Sequence, residues 1–256
     1  MAKVQVPRPR HVRQPGRLRG DAVPANRWLV LAIVLTAVFM QLLDVTVTTV
    51  AVPSIQRSLH TTFGEVQLVL AGYSLAFACV LITESRLGDI YGRKRLFLIG
   101  MLTFTAASAV CGAAPDGLTL VIARIVQGMC SGLMFPQVLA ILQVTFPERD
   151  KQKAFAVYGA TIGLATILGP VLGGALIKLN LFGAGWRTIF YVNAPIGLAA
   201  LAAGIKYVGE SKTPDAERLD LPGVATVTAG LFLLVLPLVS CCVPRCSGNA
   251  RSLLGW

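Results

Sequence analysis

Long apolar stretches limit the possible folds of this chain more than any other feature of its sequence. A helix needs about 20 mostly apolar residues to cross the hydrocarbon core of a bilayer. The candidate spans are residues 28–52, 66–83, 96–114, 118–145, 154–179, 189–208 and 221–240. They are apolar on all sides, which excludes the amphipathic helices of a soluble protein, and they lack the alternation of barrel strands. The sequence therefore predicts an all-α transmembrane protein with a six-helix bundle and a partial seventh span.

The overall composition agrees with a membrane protein. Apolar residues make up 55% of the 256 residues and charged residues 14%, whereas soluble domains have about 45–50% and about 25%. This content excludes a disordered chain and a small disulfide scaffold. The sequence contains no G-x-x-x-x-G-K-[ST] phosphate loop, so we expect no coupling to ATP hydrolysis. We also expect that the protein is not an enzyme.

The basic residues lie mainly in alternate connecting segments. The net charge of +11 could suggest a nucleic-acid partner. With the N-terminus placed inside, however, the inside segments hold 17 Lys and Arg residues and the outside segments three. This asymmetry predicts a cytoplasmic N-terminus, and the bilayer rather than nucleic acid becomes the expected partner. Residues 1–27, rich in Arg and Pro, are predicted to form a basic, disordered cytoplasmic tail, and residues 209–220 a cytoplasmic linker.

Two charged residues lie well inside predicted spans, away from the span ends, where ionised groups are costly and usually line a polar path. Asp44 shares a helix face with Gln41 and Thr48, and a carboxyl that can be neutral in lipid is a candidate proton carrier. The alternative is a buried carboxylate that only ties helices together. Arg124 shares a face with Gln127 and Ser131.

Arginine stays charged at biological pH, so Arg124 could hold a neighbouring carboxylate or an anion. The alternative is a helix-pinning arginine satisfied by carbonyl groups. Gln41, Thr48 and Gln127 share these two helix faces and are predicted to lie on the substrate path. No metal site and no cofactor are expected.

Closely spaced glycines mark the fourth and fifth spans. Spacings of the GxxxG type let helices approach closely in lipid. In the fifth span the glycines surround a proline, which removes a backbone donor and favours a bend. The residues predicted to form this bend are Gly163, Gly169, Pro170, Gly173 and Gly174. Simple close packing remains the alternative to a hinge.

The segment between the second and third predicted spans has the most distinctive local pattern. Residues 85–95 place Asp89 among four basic residues, with glycines at positions 88 and 92. This spacing predicts a tight turn at both Gly88 and Gly92. An acidic residue at a fixed distance from Arg93 further indicates a structured conformational latch.

Several of these motifs resemble those of the major facilitator superfamily. Gly88-Asp89-x-x-Gly92-Arg93-Lys94 is similar to its cytoplasmic loop signature, and Arg124-x-x-Gln127-Gly128 to its fourth-span signature. Gly163, followed by Gly169-Pro170-x-x-Gly173-Gly174, resembles the fifth-span signature of its antiporters. Leu43-Asp44-x-Thr46-x-x-x-x-Ala51-x-Pro53 and Trp186-Arg187-x-x-Phe190-x-x-Asn193-x-Pro195-x-Gly197 resemble signatures of its 14-span drug:proton antiporters. One departure is Ser85, where the family usually has Gly.

The resemblance implies that residues 28–208 form the N-terminal six-span domain of a transporter. Asp44 would carry the proton, Arg124 would tune its release, and the glycines named above would form the latch and the bend. The implied activity is proton-coupled efflux of drugs or other lipophilic small molecules across the cell membrane by alternating access. The proton gradient would then take the place of a cofactor.

The sequence leaves two alternatives open. One is a metabolite transporter of the same superfamily, and the other is a non-transporting truncated membrane fragment. The resemblance stops near residue 239, and residues 241–256 contain Cys241, Cys242 and Cys246 in an abruptly different composition. We interpret this tail as out-of-frame translation or a truncated gene model, and we expect the C-terminal half of a full-length transporter to be the missing partner.

Overall fold

The computed structural model describes residues 26–180 and 183–211, together with Thr226 and Gly230. Five long helices come first: α1 (Arg27–Leu59), α2 (Phe63–Tyr91), α3 (Arg93–Ala113), α4 (Gly117–Thr145) and α5 (Glu148–Leu179). A 3-10 turn (Gly185–Arg187), α6 (Thr188–Tyr191) and α7 (Asn193–Tyr207) form a sixth apolar segment. The described residues thus contain six segments long and apolar enough to cross a membrane, which confirms the six predicted spans and the all-α fold.

Short connections reverse the chain between successive long helices. The bundle therefore has one end at which α1 begins, here named the Arg27 end, and an opposite end at which α1 stops, named the His60 end. His60 has a left-handed backbone (φ 52°) that stops α1. Thr62 and Glu65 form a reciprocal capping box at the start of α2, with the Thr62 N–H donating to Glu65 Oε2 at 2.7 Å.

Two further residues secure the His60 end. Asp116 caps α4 by accepting a hydrogen bond from the Thr119 N–H at 2.8 Å and another from the Thr119 hydroxyl at 3.0 Å. These bonds favour the ionised carboxylate and hold the pKa of Asp116 below its ordinary value. Arg187 donates to the carbonyl oxygens of Gly112 and Ala114 at 2.8 and 2.6 Å. The guanidinium thereby satisfies carbonyls at the end of α3 that have no helical partner.

Helix pairs pack closely where a glycine faces the neighbouring chain. α2 packs mainly on α4, and α1 on α5. A Cβ placed on Gly128 of α4 would collide with the main-chain oxygen of Tyr73, and one on Gly169 of α5 would collide with the side chain of Thr46. Gly173 lies in the same way against Val47. These contacts agree with the predicted role of small residues in close helix packing.

Two apolar clusters fill the two ends of the bundle. The cluster at the Arg27 end includes Val34, Val38, Phe97 and Met134. The cluster at the His60 end includes Ile55, Leu120, Trp186 and Phe190. Buried polar side chains lie between them, on the middle turns of α1 and α4.

The helix boundaries differ from the predicted spans in three places. α1 continues through Pro53 to Leu59, and α5 begins at Glu148, because hydropathy marks the lipid-spanning part of a helix and misses its polar outer turns. α2 continues through Gly88 to Tyr91. The predicted turn at Gly88 is therefore wrong, whereas Gly92, with φ of 102°, forms the turn alone.

Other predicted segments fall largely or wholly outside the described residues. Arg27 belongs to α1 rather than to the basic tail, and the tail itself is not described. Most of the predicted linker 209–220, the seventh span 221–240 and the tail 241–256 also lie outside the described part, so their assignments stay predictions.

Candidate functional site

An ion pair between α1 and α4 lies at the centre of the bundle. The Nη1 atom of Arg124 donates to Asp44 Oδ2 at 2.5 Å, and each side chain is only 1% exposed. Each residue was identified as a charge within a span, and the family resemblance implied that they act together; the fold brings them into contact across 80 positions of sequence. A buried pair of this kind must be well satisfied, because removing two charges from water costs several kcal/mol per ion.

Asp44 accepts further hydrogen bonds from two amides. Gln127 Nε2 donates to Asp44 Oδ1 at 3.1 Å, and Asn193 Nδ2 donates to the same oxygen at 3.0 Å. Asn193 Nδ2 also lies 3.0 Å from Ser108 Oγ, whose hydroxyl donates to the Phe190 carbonyl oxygen at 3.0 Å. Three donors from α4 and α7 therefore stabilise the ionised carboxylate.

Arg124 is held by groups that accept hydrogen bonds or present a π face. Its Nη1 donates to Gln127 Oε1 at 2.9 Å. The guanidinium carbon lies 4.2 Å from the ring centroid of Tyr73 and 5.8 Å from that of Phe190. A cation over an aromatic face gains more when both are removed from water, and Tyr73 and Phe190 are 3% and 0% exposed.

Sequence reasoning missed three members of this network: Tyr73, Ser108 and Asn193. Asn193 does fall within the motif of the sixth predicted span, but the motif does not show that its amide reaches α1. Tyr73 and Ser108 have no signal beyond being polar groups in apolar spans. Their partners lie on other helices, so spacing along one helix could not identify them.

The predicted substrate-path residues occupy three different environments. Gln127 belongs to the ion-pair network. The Thr48 hydroxyl donates to the main-chain oxygen of Asp44 at 2.6 Å, within α1. Gln41 lies one turn before Asp44, toward the Arg27 end, and is 4% exposed. All three lie beside Asp44, while their contact with a substrate stays a prediction.

The predicted latch forms a compact charged unit at the Arg27 end. Arg93 donates to Asp89 at 2.9 Å, joining the last turn of α2 to the start of α3 across Gly92. Glu210, which sequence reasoning missed, accepts from the Lys94 N–H at 3.2 Å. Its carboxylate thus caps the N-terminus of α3 from the segment that follows α7.

Gly88 contributes to the same region by close packing. A Cβ at this position would come within 2.5 Å of the Gln137 amide on α4. Gly88 therefore serves the contact between α2 and α4 rather than a turn. The predicted bend residues lie along α5, which runs unbroken through Pro170. Gly169 and Gly173 face α1, whereas a Cβ at Gly163 or Gly174 would meet nothing within 4 Å.

The described arrangement buries one carboxylate and one guanidinium whose opposite charges compensate each other. Among the described residues, no group of three His, Cys, Asp or Glu side chains is placed to hold a metal ion. Cys241, Cys242 and Cys246 lie outside the described part.

Curated relatives match most of this chain. A probable actinorhodin transporter of Streptomyces coelicolor is 42% identical over 224 residues, which is 88% of this chain and 39% of that protein. A tetracenomycin C resistance and export protein of Streptomyces glaucescens is 35% identical over 83% of this chain and 39% of its own length. The multidrug resistance protein Stp of Mycobacterium tuberculosis is 37% identical over 84% of this chain and 40% of its length. The chain thus spans about two fifths of the length of these relatives.

Solved structures share the fold at low sequence identity. A peptide transporter POT in complex with sulfate is similar over 88% of this chain and 48% of its own, with a TM-score of 0.62 and 15% identity. A bacterial homologue of the human lysosomal transporter Spinster, inward-facing and unoccupied, gives a TM-score of 0.63 at 19% identity over 77% of this chain and 45% of its own. Residues 34–245 also match the sequence profile of the Major Facilitator Superfamily. This multi-pass membrane chain therefore belongs to the Major Facilitator Superfamily.

Proposed function

We propose that this chain forms the N-terminal domain of a proton-coupled exporter of lipophilic small molecules. The observation that supports the proposal best is the ion pair between Asp44 and Arg124, buried in the middle of the bundle. Three of the relatives are named for the transport of actinorhodin, for resistance to and export of tetracenomycin C, and for multidrug resistance. These relatives support a substrate that is a drug-like small molecule.

The proposed coupling follows from the electrostatics of the pair. An ionised Asp44 keeps Arg124 paired and holds α1 against α4. A protonated Asp44 no longer attracts the guanidinium, so the contact between the helices weakens. Binding a proton on one side of the membrane and releasing it on the other would thereby bias the two states of an alternating-access cycle.

The proposed orientation places the Arg27 end in the cytoplasm of the cell. The basic residues at this end include Arg27, Arg93, Lys94 and Lys151, which fits the excess of Lys and Arg in cytoplasmic loops. The orientation is tested by Tyr91→Cys, at an exposed position, in a chain whose six native cysteines are replaced by serine. A membrane-impermeant fluorescent maleimide is added to right-side-out and to inverted vesicles. We expect labelling in inverted vesicles alone, and labelling in right-side-out vesicles alone would contradict the proposal.

Transport itself is tested with the full chain in inverted membrane vesicles. Ethidium serves as a lipophilic cation, a proton gradient drives uptake, and a protonophore abolishes the gradient. Wild-type chain is expected to take up ethidium only while the gradient exists. Asp44→Asn should lose the ethidium uptake that depends on the gradient. The control variant Glu148→Gln, which changes an exposed carboxylate in the first turn of α5, should retain this uptake.

Two results would contradict the proposal in different ways. Unchanged gradient-dependent uptake by Asp44→Asn would refute the coupling role of this residue. If vesicles with the wild-type chain take up no more ethidium than vesicles that lack the chain, the second candidate function is favoured. This candidate is a membrane domain that does not transport alone. That candidate is motivated by the two-fifths share of the relatives' length.

A further inference from the structure

A second group of polar side chains is buried next to the ion pair. Gln41 of α1, Tyr73 of α2 and Ser131 of α4 are 4%, 3% and 0% exposed. The Tyr73 hydroxyl faces the side chains of both Gln41 and Ser131. These three neighbouring side chains, which come from three helices, are here named the Tyr73 site.

Three polar atoms of the Tyr73 site make no well-aligned hydrogen bond within the described protein. Gln41 Oε1, Tyr73 Oη and Ser131 Oγ are buried and make no hydrogen bond of good geometry. Buried polar groups are almost always hydrogen-bonded, because leaving them unpaired costs the full desolvation penalty. Three such atoms facing one another indicate a shared ligand rather than three separate defects.

The frame around these atoms is rigid and apolar. Met40, Phe104 and Cys130 pack with Tyr73 in one buried cluster. Gly128 of α4 lies directly against the main chain of Tyr73, so α2 cannot move closer to α4. The main chain of Tyr73 is therefore fixed against α4 beside these polar atoms.

We propose that the Tyr73 site binds an ordered water molecule. The water would donate to Gln41 Oε1, which can only accept, and would exchange hydrogen bonds with the hydroxyls of Tyr73 and Ser131. Three partners match the number that buried waters make on average. Gln41 thereby acts as a water-holding residue beside the proton site.

The position of this water gives it a role in the proposed proton cycle. Arg124 lies on the ring of Tyr73, and its Nε–H has no acceptor within the described protein. When Asp44 takes up a proton, the arginine loses a charged acceptor but keeps its own charge. A water at the Tyr73 site can then turn a lone pair toward the guanidinium. This role of the water rests on the proposed proton coupling.

The Tyr73 site lies on one side of the ion pair. Gln41 precedes Asp44 in α1, and Ser131 follows Arg124 in α4, which runs in the opposite direction. Both positions are therefore nearer the Arg27 end. Toward the His60 end the pair meets the apolar cluster that includes Leu120 and Phe190. Hydration of the pair is consequently expected from the Arg27 side.

Radiolytic hydroxyl labelling of the full chain in lipid nanodiscs tests the site directly. Hydroxyl radicals formed from a bound water label the side chains that it contacts, even when these are shielded from bulk solvent. In ¹⁸O-enriched water we expect Tyr73 to be labelled several-fold more than Phe104, which lies in the same cluster and is 0% exposed. Tyr91, which is 58% exposed, reports labelling from bulk solvent.

A matched pair of variants identifies the ligand atoms. Ser131→Thr keeps the hydroxyl, and Ser131→Val replaces it by a methyl group in a side chain of the same shape. We expect Tyr73 labelling to persist in Ser131→Thr and to fall to the level of Phe104 in Ser131→Val. Labelling of wild-type Tyr73 no stronger than that of Phe104, or equal labelling in the two variants, would overturn the inference.

The same variants separate this inference from the proposed function. Gradient-dependent ethidium uptake should be slower in Ser131→Val than in Ser131→Thr if the water supports the cycle, and equal rates would refute that role. If Asp44→Asn keeps gradient-dependent uptake while Tyr73 is labelled as expected, the proposed coupling fails and the water site stands.

Discussion

Replacing Arg124 by methionine tests the energetic role of the ion pair most directly. The substitution keeps much of the apolar stem but removes the guanidinium, which leaves Asp44 with only the amides of Gln127 and Asn193 as donors. Removing one partner of a buried pair costs about 3–5 kcal/mol, because the remaining charge stays buried without compensation. Asp44→Asn should cost a similar amount, since it leaves the arginine unpaired.

The double variant gives the sharper result. Asp44→Asn combined with Arg124→Met contains neither buried charge, so its loss of stability should be smaller than the sum of the two single losses. We expect the difference, which is the coupling energy, to be about 3 kcal/mol or more. The two single losses sum to about 6–10 kcal/mol, and the double variant would lose this full sum only if the two substitutions acted independently.

SDS titration of the full chain in mixed micelles measures these losses. Tryptophan fluorescence follows unfolding, because Trp186 is 4% exposed and packs edge-on against Phe190 at 6.1 Å between ring centroids. The four chains are compared at equal lipid and detergent. Additive losses, agreeing within about 0.5 kcal/mol, would show that the two charges do not interact in the folded protein and would refute the reasoning.

Three further predictions concern helix packing, the cap on α3 and the pH dependence of the cap on α4. Gly169→Ala should lower stability by about 1–3 kcal/mol in the same titration, because its new methyl group collides with α1. Glu210→Ala should cost about 1 kcal/mol, because it removes the cap on the N-terminus of α3. Asp116 should stabilise the chain fully above its ordinary pKa of about 3.9 and lose this contribution as the pH falls through its lower folded-state value.

Each of these predictions has a control on the same chain. Gly163→Ala enters open space on the same helix and should be neutral or stabilising by up to about 1 kcal/mol. Glu148→Ala, at an exposed pair, should change stability by less than about 0.5 kcal/mol. Asp116→Asn keeps a side chain that can cap the helix but has no titratable group. The difference in stability between wild type and this variant should therefore shrink from about pH 6 to about pH 3. A difference that stays the same over this range would contradict the third prediction.

Several features of the fold were predictable because they depend on local sequence. Apolar runs long enough to span a bilayer located all six spans, since lipid requires each crossing segment to satisfy its own backbone hydrogen bonds. The turn at Gly92 also followed from the sequence, because a left-handed backbone there favours glycine. The prediction for Gly88 was wrong because glycine also serves close helix packing, and position alone does not distinguish the two uses.

The candidate site was only half predictable. The cost of a charge in lipid identified Asp44 and Arg124, and helical periodicity placed Gln127 on the face of Arg124. The donation from Asn193, the stacking of Tyr73 and the cap provided by Glu210 all come from other helices or from a distant segment. Periodicity shows which side chains share a face of one helix, but not which helix that face meets.

The sequence by itself located the six segments of the described residues that are long and apolar enough to cross a membrane, and the charged residues buried within them. The tertiary structure decided how those charges are compensated. Asp44 pairs with an arginine 80 positions away, and Arg124 also packs on the ring of a tyrosine on a third helix. The physical reason is that hydropathy acts on each segment separately. Compensation of a buried charge depends instead on distance and direction between helices, which only their packing sets.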